Sequence, residues 1–198
     1  ITSITYRGTT TANPTTQDLI DSGIWITNGL AVIPATVASI AADMTDAIND
    51  GIILVWAAGN EQAVIDVSGG PDYDNQLTAG LTYNFSRHIA DGTDAIVVAS
   101  HDMEVSESVS SFTNKGPRVD IWAPGERIQS SAIGLTYPDP RNPSYYIRKL
   151  SGTSMATPMV SSLLACAAET YPDMTHAQAK TYITQNAEIN AVGGDVVG

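Results

Sequence analysis

Apolar residues recur at three- and four-residue spacing across Thr36 to Asn49, where Val37, Ile40, Ala41, Met44 and Ile48 share one face. That pattern predicts an amphipathic helix, stopped by Asp50-Gly51. The next run, Ile52 to Ala57, is almost entirely apolar, as in a parallel strand covered on both faces. Ile96 to Ala99 predicts a second buried strand. Val119 to Trp122 predicts a short third one, set between the turn residues of Phe112 to Gly116 and Ala123-Pro-Gly125. An Ala-rich run from Ser154 to about Ala168 predicts another helix, with Met155, Met159, Leu163 and Cys166 or Ala167 at helical spacing and Pro158 within about the first turn. A last helix opens at Asp173-Met-Thr-His-Ala-Gln178, with Thr175 as N-cap and Gln178 completing a capping box. Ile1 to Tyr6 alternates with period two and predicts a strand, followed by a loop over Arg7 to Pro14. Residues 15–34 read as irregular, and Thr136 to Arg148, with three prolines and three tyrosines, as an extended loop.

Helices alternating with buried strands place the chain in the α/β class, with a three-layer αβα sandwich and a mostly parallel sheet. No repeat, low-complexity tract or linker divides it, so residues 1–198 read as one domain.

Composition narrows the choice of partner. The net charge is −12, which argues against nucleic acid and against an anionic membrane surface. No apolar run is long enough to span a bilayer. Cys166, the one cysteine, rules out an internal disulfide and reads as a small buried hydrophobe. Glu61 to Asp94 reads as a long polar surface loop. Its Asp72, Asp74 and Asn75 lack the closing Glu and central Gly of a calcium loop, so no metal ligand is assigned and a structural calcium stays open. The chain opens on a strand without an initiator Met or apolar leader, which reads as a processed or excised piece.

The candidate chemistry centres on Ser151-Gly-Thr-Ser-Met-Ala-Thr-Pro-Met-Val160. A serine at the first turn of a buried helix lies among unpaired N–H groups and the positive end of the helix dipole, where a developing oxyanion is stabilised. Taken alone, Ser154 would read as a capping residue on an ordinary helix. Gly152 to Pro158, however, reproduces without a gap the nucleophile signature Gly-Thr-Ser-Met-Ala-x-Pro, and the chain thereby resembles the subtilisin-like serine proteases. Gly51-Ile-Ile-Leu-Val-Trp-Ala-Ala-Gly-Asn-Glu61 is similar to the strand that ends in that family's oxyanion-hole asparagine. Val109 to Pro117 and Val119 to Gly125 are similar to the turns and strand preceding the nucleophile. The three blocks occur in the family's order, from about residue 36 to residue 190.

The resemblance implies a serine endopeptidase acting on polypeptides, with Ser154 as nucleophile and Asn60 as oxyanion donor; standing alone, Asn60 would be a turn residue. It also implies a substrate cleft with Thr5, Tyr6 and Arg7 on one side, Ala57, Ala58 and Gly59 on the other, and Thr153 beside the nucleophile. Thr5 and Arg7 depart from the usual Ser-x-Gly, which points to a narrower or charged pocket. Met159 stands where the family commonly has His, a structural position. An extracellular location is favoured by the same resemblance alone.

The largest departure is the missing His-Gly-Thr-His segment and the aspartate upstream of it. His88, His101 and His176 read as surface residues, and Leu19-Ile20-Asp21-Ser22-Gly23-Ile24 as a loop that mimics the aspartate motif. The expected partner is therefore an N-terminal fragment of the same precursor carrying Asp and His, the present chain being the C-terminal portion of the catalytic domain. A non-catalytic binding or structural module of the same fold is the alternative. A lipase-type Gly-x-Ser-x-Gly elbow is excluded because Met-Ala follows Ser154.

Overall fold

The computed structural model describes residues 3–6, 9–13, 25–26, 29–30, 38–70, 73, 88–103, 107–133, 137–188 and 192–193. In chain order they form β1 (Ser3–Tyr6), β2 (Thr9–Ala12), β3 (Trp25–Ile26), β4 (Gly29–Leu30) and α1 (Ala38–Asn49). There follow β5 (Val55–Ala57), β6 (Ile96–His101), β7 (Ile121–Pro124), β8 (Ile128–Ala132), β9 (Tyr137–Asp139) and β10 (Asn142–Leu150). Two helices close the chain, α2 (Thr153–Thr170) and α3 (His176–Asn186).

The central sheet is parallel, in the order β5-β6-β7, with Val55 opposite Ile96 and Val98 opposite Ile121. Every residue of β6 is buried, and its side chains divide between two cores. Val97 and Ala99 face Met44 of α1 together with Ala58, Ala63 and Ile65. Ile96 and Val98 face Ala156, Val160 and Leu164 of α2 and Ala179 and Ile183 of α3. A continuous apolar strand is thus covered by helices on both faces, as its composition requires. Thr175 accepts a bond from Gln178 N–H, and Gln178 Oε1 in return accepts from Thr175 N–H at 2.9 Å, so the predicted capping box closes.

Several expectations are corrected. The Arg7 to Pro14 loop contains β2, which folds back antiparallel on β1. β3 and β4 form a short antiparallel pair within the segment read as irregular. Thr136 to Arg148, read as an extended loop, contains β9 and most of β10, which join β8 in an antiparallel sheet ordered β8-β10-β9. The prolines mislead there because Pro138 and Pro143 sit in an edge strand and near a strand start, where a missing N–H breaks no ladder.

The polar segment after Glu61 begins with four buried residues, Ala63 to Asp66, and Val64 bridges to Lys115; Asp72, Asp74 and Asn75 lie outside the described residues. The stripe that α2 buries is Ala156, Val160, Leu164 and Ala167, whereas Met159 and Leu163 are 41% and 52% exposed and Cys166 is exposed. This helix is apolar nearly all round, so more than one stripe has helical spacing, and mostly small side chains sit against the sheet. Pro158 is its sixth residue, in the second turn rather than the first.

A buried cation fastens the sheet to its flanks. Arg118 is 6% exposed, and its guanidinium donates to the carbonyls of Ala95 at 2.9 Å, Thr93 at 3.3 Å and Ala90 at 3.4 Å, and to Asp120 at 2.8 Å. Asp120 also accepts Val97 N–H and pairs with Lys180 of α3 at 2.9 Å. Arg118→Leu removes the only one of these partners that reaches all three carbonyls. It should lower the unfolding free energy in urea by about 3–5 kcal/mol, the cost of breaking a buried ion pair from one side. Arg118→Lys should recover only part of that loss, because one ammonium cannot reproduce the planar fork.

Candidate active site

The turn after β5 is shaped by a residue the sequence analysis treated only as turn punctuation. Asn114 is 1% exposed and makes four side-chain hydrogen bonds. Its Oδ1 accepts the N–H groups of Glu61 and Ala63, and its Nδ2 donates to Ala58 O at 2.8 Å and Glu61 Oε2 at 2.7 Å. Its own N–H donates to Gly59 O at 2.9 Å. Gly59, at φ 103°, packs so tightly on this hub that a Cβ there would collide with the Asn114 amide and the Glu61 carboxylate. The chain therefore leaves β5 along one path and delivers Asn60 to the start of α2. The signal that could have revealed Asn114 was its Asn-Lys-Gly context in the block Val109 to Pro117, which reads as an ordinary turn.

At the other side, Gly152 precedes α2 with φ 156° and ψ 159°, a region open essentially to glycine. Its N–H donates to Gly125 O at 2.8 Å, and its O accepts from Met155 and Ala156. Thr153 is fully buried. Its N–H donates to Asn60 Oδ1 at 2.9 Å, its hydroxyl donates to the same oxygen at 3.1 Å, and that hydroxyl accepts Gly59 N–H at 3.2 Å. A backbone N–H can only donate, so the Asn60 atom facing Thr153 must be the oxygen. Asn60 Nδ2 is then left on the exposed side with no partner among the described residues.

The helix terminus gives a second unpaired donor. Of the first four N–H groups of α2, that of Thr153 goes to Asn60 and those of Met155 and Ala156 go to Gly152 O. Among the described residues only the N–H of Ser154 has no acceptor, and Ser154 itself is exposed. The structure thus brings Ser154, Thr153, Gly59 and Asn60 together. Ala58 is 1% exposed, with its N–H bound to Val98 O. Thr5 and Tyr6 lie in β1, which pairs with β2 and not with the parallel sheet, and Arg7 and Asp21 lie outside the described residues.

The three histidines are not surface residues: His88, His101 and His176 are 4%, 7% and 4% exposed. His88 donates from Nε2 to Ala57 O at 2.9 Å and accepts Ala90 N–H at Nδ1. His176 accepts Leu54 N–H at Nδ1 and donates from Nε2 to Asp94 O at 2.8 Å. Through these backbone bonds both rings brace β5 at its two ends. His101 donates from Nδ1 to Asp102 O at 2.5 Å. Polar heads on an otherwise apolar chain were expected outside; the free backbone groups flanking β5 draw them in. Among the described residues no group of three or more His, Cys, Asp or Glu is placed to hold a metal, and no helix is long and apolar enough to cross a membrane.

A model of the subtilase family matches residues 5–196. The chain belongs to the subtilase family. It is 30% identical over 132 residues to the "Major intracellular serine protease" of Bacillus subtilis, covering 67% of this chain and 33% of that protein. It is 30% identical over 168 residues to the "Thermostable alkaline protease" of Halalkalibacterium halodurans, covering 82% and 38%. Among solved structures, a cold-adapted subtilisin-like serine proteinase aligns with a TM-score of 0.58 at 24% identity, over 92% of this chain and 58% of that one. The fold is thus subtilisin-like, and this subtilase chain spans between about a third and a half of the length of the curated relatives it matches.

His88 gives the subtilase fold a pH dependence. Burial, its largest influence, holds the imidazole down from 6.5 to about 4. Protonation would also remove the acceptor for Ala90 N–H. A folded pKa below the unfolded one means full stability above about pH 6.5, loss as pH falls toward 4, and no further loss below. The total should be about 3 kcal/mol. Urea unfolding of the wild type at pH 7 and pH 4.5, compared with His88→Gln, should show the acid-side loss reduced in the variant.

Proposed function

We propose that this chain provides the nucleophile and the oxyanion side of a serine endopeptidase. The carrying observation is the pair of unpaired donors, Ser154 N–H and Asn60 Nδ2, beside one exposed serine hydroxyl at the start of α2. In this reading Ser154 Oγ attacks the scissile carbonyl, and its proton passes to an imidazole base. The carbonyl oxygen gains charge and receives the Ser154 N–H and the Asn60 amide, with the positive end of α2 adding to both. Thr153 is a positioning residue: its N–H and hydroxyl hold Asn60 Oδ1 and so aim Nδ2.

The base and its orienting aspartate come from a segment outside these 198 residues. Two of the three histidines use both ring nitrogens on backbone partners, which supports this assignment. The exposed Met159 and Leu163 on the face of α2 turned away from the sheet support a further covering segment there. The substrate is polypeptide, by the names that its relatives carry.

A fluorophosphonate probe should label the intact protein at Ser154, with the modified peptide identified by mass spectrometry, and labelling should vanish in Ser154→Ala. The 198-residue chain alone should hydrolyse casein only at a residual rate, because hydroxyl activation needs the base. Robust turnover by the chain alone would place the base within it, at His101 foremost. Thr153→Val keeps the volume but drops the hydroxyl, and should lower kcat about ten- to a hundredfold with KM little changed. Thr153→Ser should restore it. For comparison, loss of the equivalent amide donor in subtilisin itself is worth about 10²–10³ in kcat, a magnitude known for that enzyme rather than obtained from this chain.

A further inference from the structure

Charge is segregated along this chain. Residues 126–151 carry four bases, Arg127, Arg141, Arg148 and Lys149, against two acids, Glu126 and Asp139, within a chain of net charge −12. These residues are the β8-β10-β9 sheet, an arm that leaves the body after Gly125 and returns at Gly152, immediately before the nucleophile helix. Its base is tied twice, by Gly152 N–H to Gly125 O at 2.8 Å and by Arg127 N–H to Ser151 Oγ at 2.9 Å.

Not every cation on the arm is available. Arg141 pairs with Asp139 at 2.7 Å, and its hydrogen bonds hold that carboxyl well below the usual range. Elsewhere Arg118 is buried and Lys180 is engaged with Asp120. Arg148 and Lys149 are exposed and form no ion pair among the described residues. The register of β10 puts Lys149 opposite Gln129, and Ile147 opposite Ser131 and Tyr137, so these share one face of the sheet. Arg148, opposite Ser130, lies on the other face of the sheet. Gln129, Tyr137, Ile147, Arg148 and Lys149 line an open depression of about 570 Å³. Lys149 precedes Ser154 by five residues, a chain length that spans at most about 18 Å.

We propose that this arm is a docking surface for acidic stretches of the polypeptide substrate. An extended peptide with its scissile bond at Ser154 would bring carboxylate side chains a few residues away onto Lys149, beside Tyr137 and Ile147 on the same face, with Arg148 bordering the depression from the other face. The inference rests on the reading of Ser154 as nucleophile. Two free cations on a strongly acidic chain suit a short acidic peptide and not the dense phosphates of a nucleic acid, which need several cations and would be repelled by the remainder.

The test uses the intact protein carrying Ser154→Ala, so that peptides bind without being cut. Two fluorescein-labelled ten-residue peptides, identical except for Glu or Gln at alternate positions, are titrated by fluorescence anisotropy in 50 mM and 500 mM NaCl. The Glu peptide should bind about three- to tenfold more tightly at low salt, as two exposed ion pairs allow. That preference should collapse at high salt. Arg148→Gln with Lys149→Gln should abolish it, and Gln129→Lys, on the same face as Lys149, should widen it. Equal affinity for the two peptides, or a preference that survives the double substitution, overturns the proposal. Fluorophosphonate labelling of the wild type separates the two readings. Labelling without acidic preference removes the docking surface alone, whereas acidic preference without labelling keeps the surface and removes the nucleophile assignment.

Discussion

A single amide oxygen holds the architecture of the site together. Asn60 Oδ1 accepts both the N–H and the hydroxyl of Thr153, and so joins the end of one strand to the start of a helix more than ninety residues later. Helix starts usually satisfy their own donors with a capping side chain. Here Gly152 offers no side chain, and a residue from a distant loop takes the first donor instead. That arrangement leaves the second donor, on Ser154, without a partner among the described residues. Backbone N–H groups are costly to leave unpaired when buried, and this one is tolerated because it opens to the surface. The two ends of the junction are set by backbone geometry, through Asn114 packed against Gly59 and through the glycine-only conformation of Gly152.

Local signals were legible where the chain makes its contacts nearby. The capping box of α3 is written in Thr175 and Gln178, three residues apart, and the buried face of α1 in the spacing that runs through Ile40, Met44 and Ile48 and has Met44 at its centre. β6 reads as a core strand because every residue in Ile96 to Ala99 is apolar, and both faces are in fact covered. What could not be read depends on partners far away in sequence. His88 and His176 bond to β5 from 31 and 122 residues off, and nothing near either ring announces this. The stripe that α2 buries was misjudged because small residues, which carry little hydrophobic signal, pack closest to the sheet. β9 and β10 were hidden by prolines whose positions harm no ladder.

The site itself divides in the same way. Ser154 and Asn60 stand within recognisable blocks, but the roles of Thr153 and Asn114 emerge only from three dimensions. Thr153 looks like a contact to substrate when the chain is read linearly; in the fold it is fully enclosed and faces Asn60. Asn114 resembles one more loop residue, yet its amide makes four hydrogen bonds that fix three neighbours, Ala58, Glu61 and Ala63. A side chain that serves its neighbours' backbone leaves no periodic trace.

The base of the arm has a consequence for how such a protein can change over time. Residues 126–151 leave and re-enter the body through Gly125 and Gly152, whose backbones touch at 2.8 Å. Helix α2 therefore senses that clasp, with the Arg127–Ser151 bond beside it, and not the length of what lies beyond. Closing a longer excursion costs only about 0.6 kcal/mol for each doubling of its length. Insertion and deletion within the excursion are correspondingly inexpensive. The proposed chemistry thus sits in one compartment and the freedom to change length in another, joined at two residues.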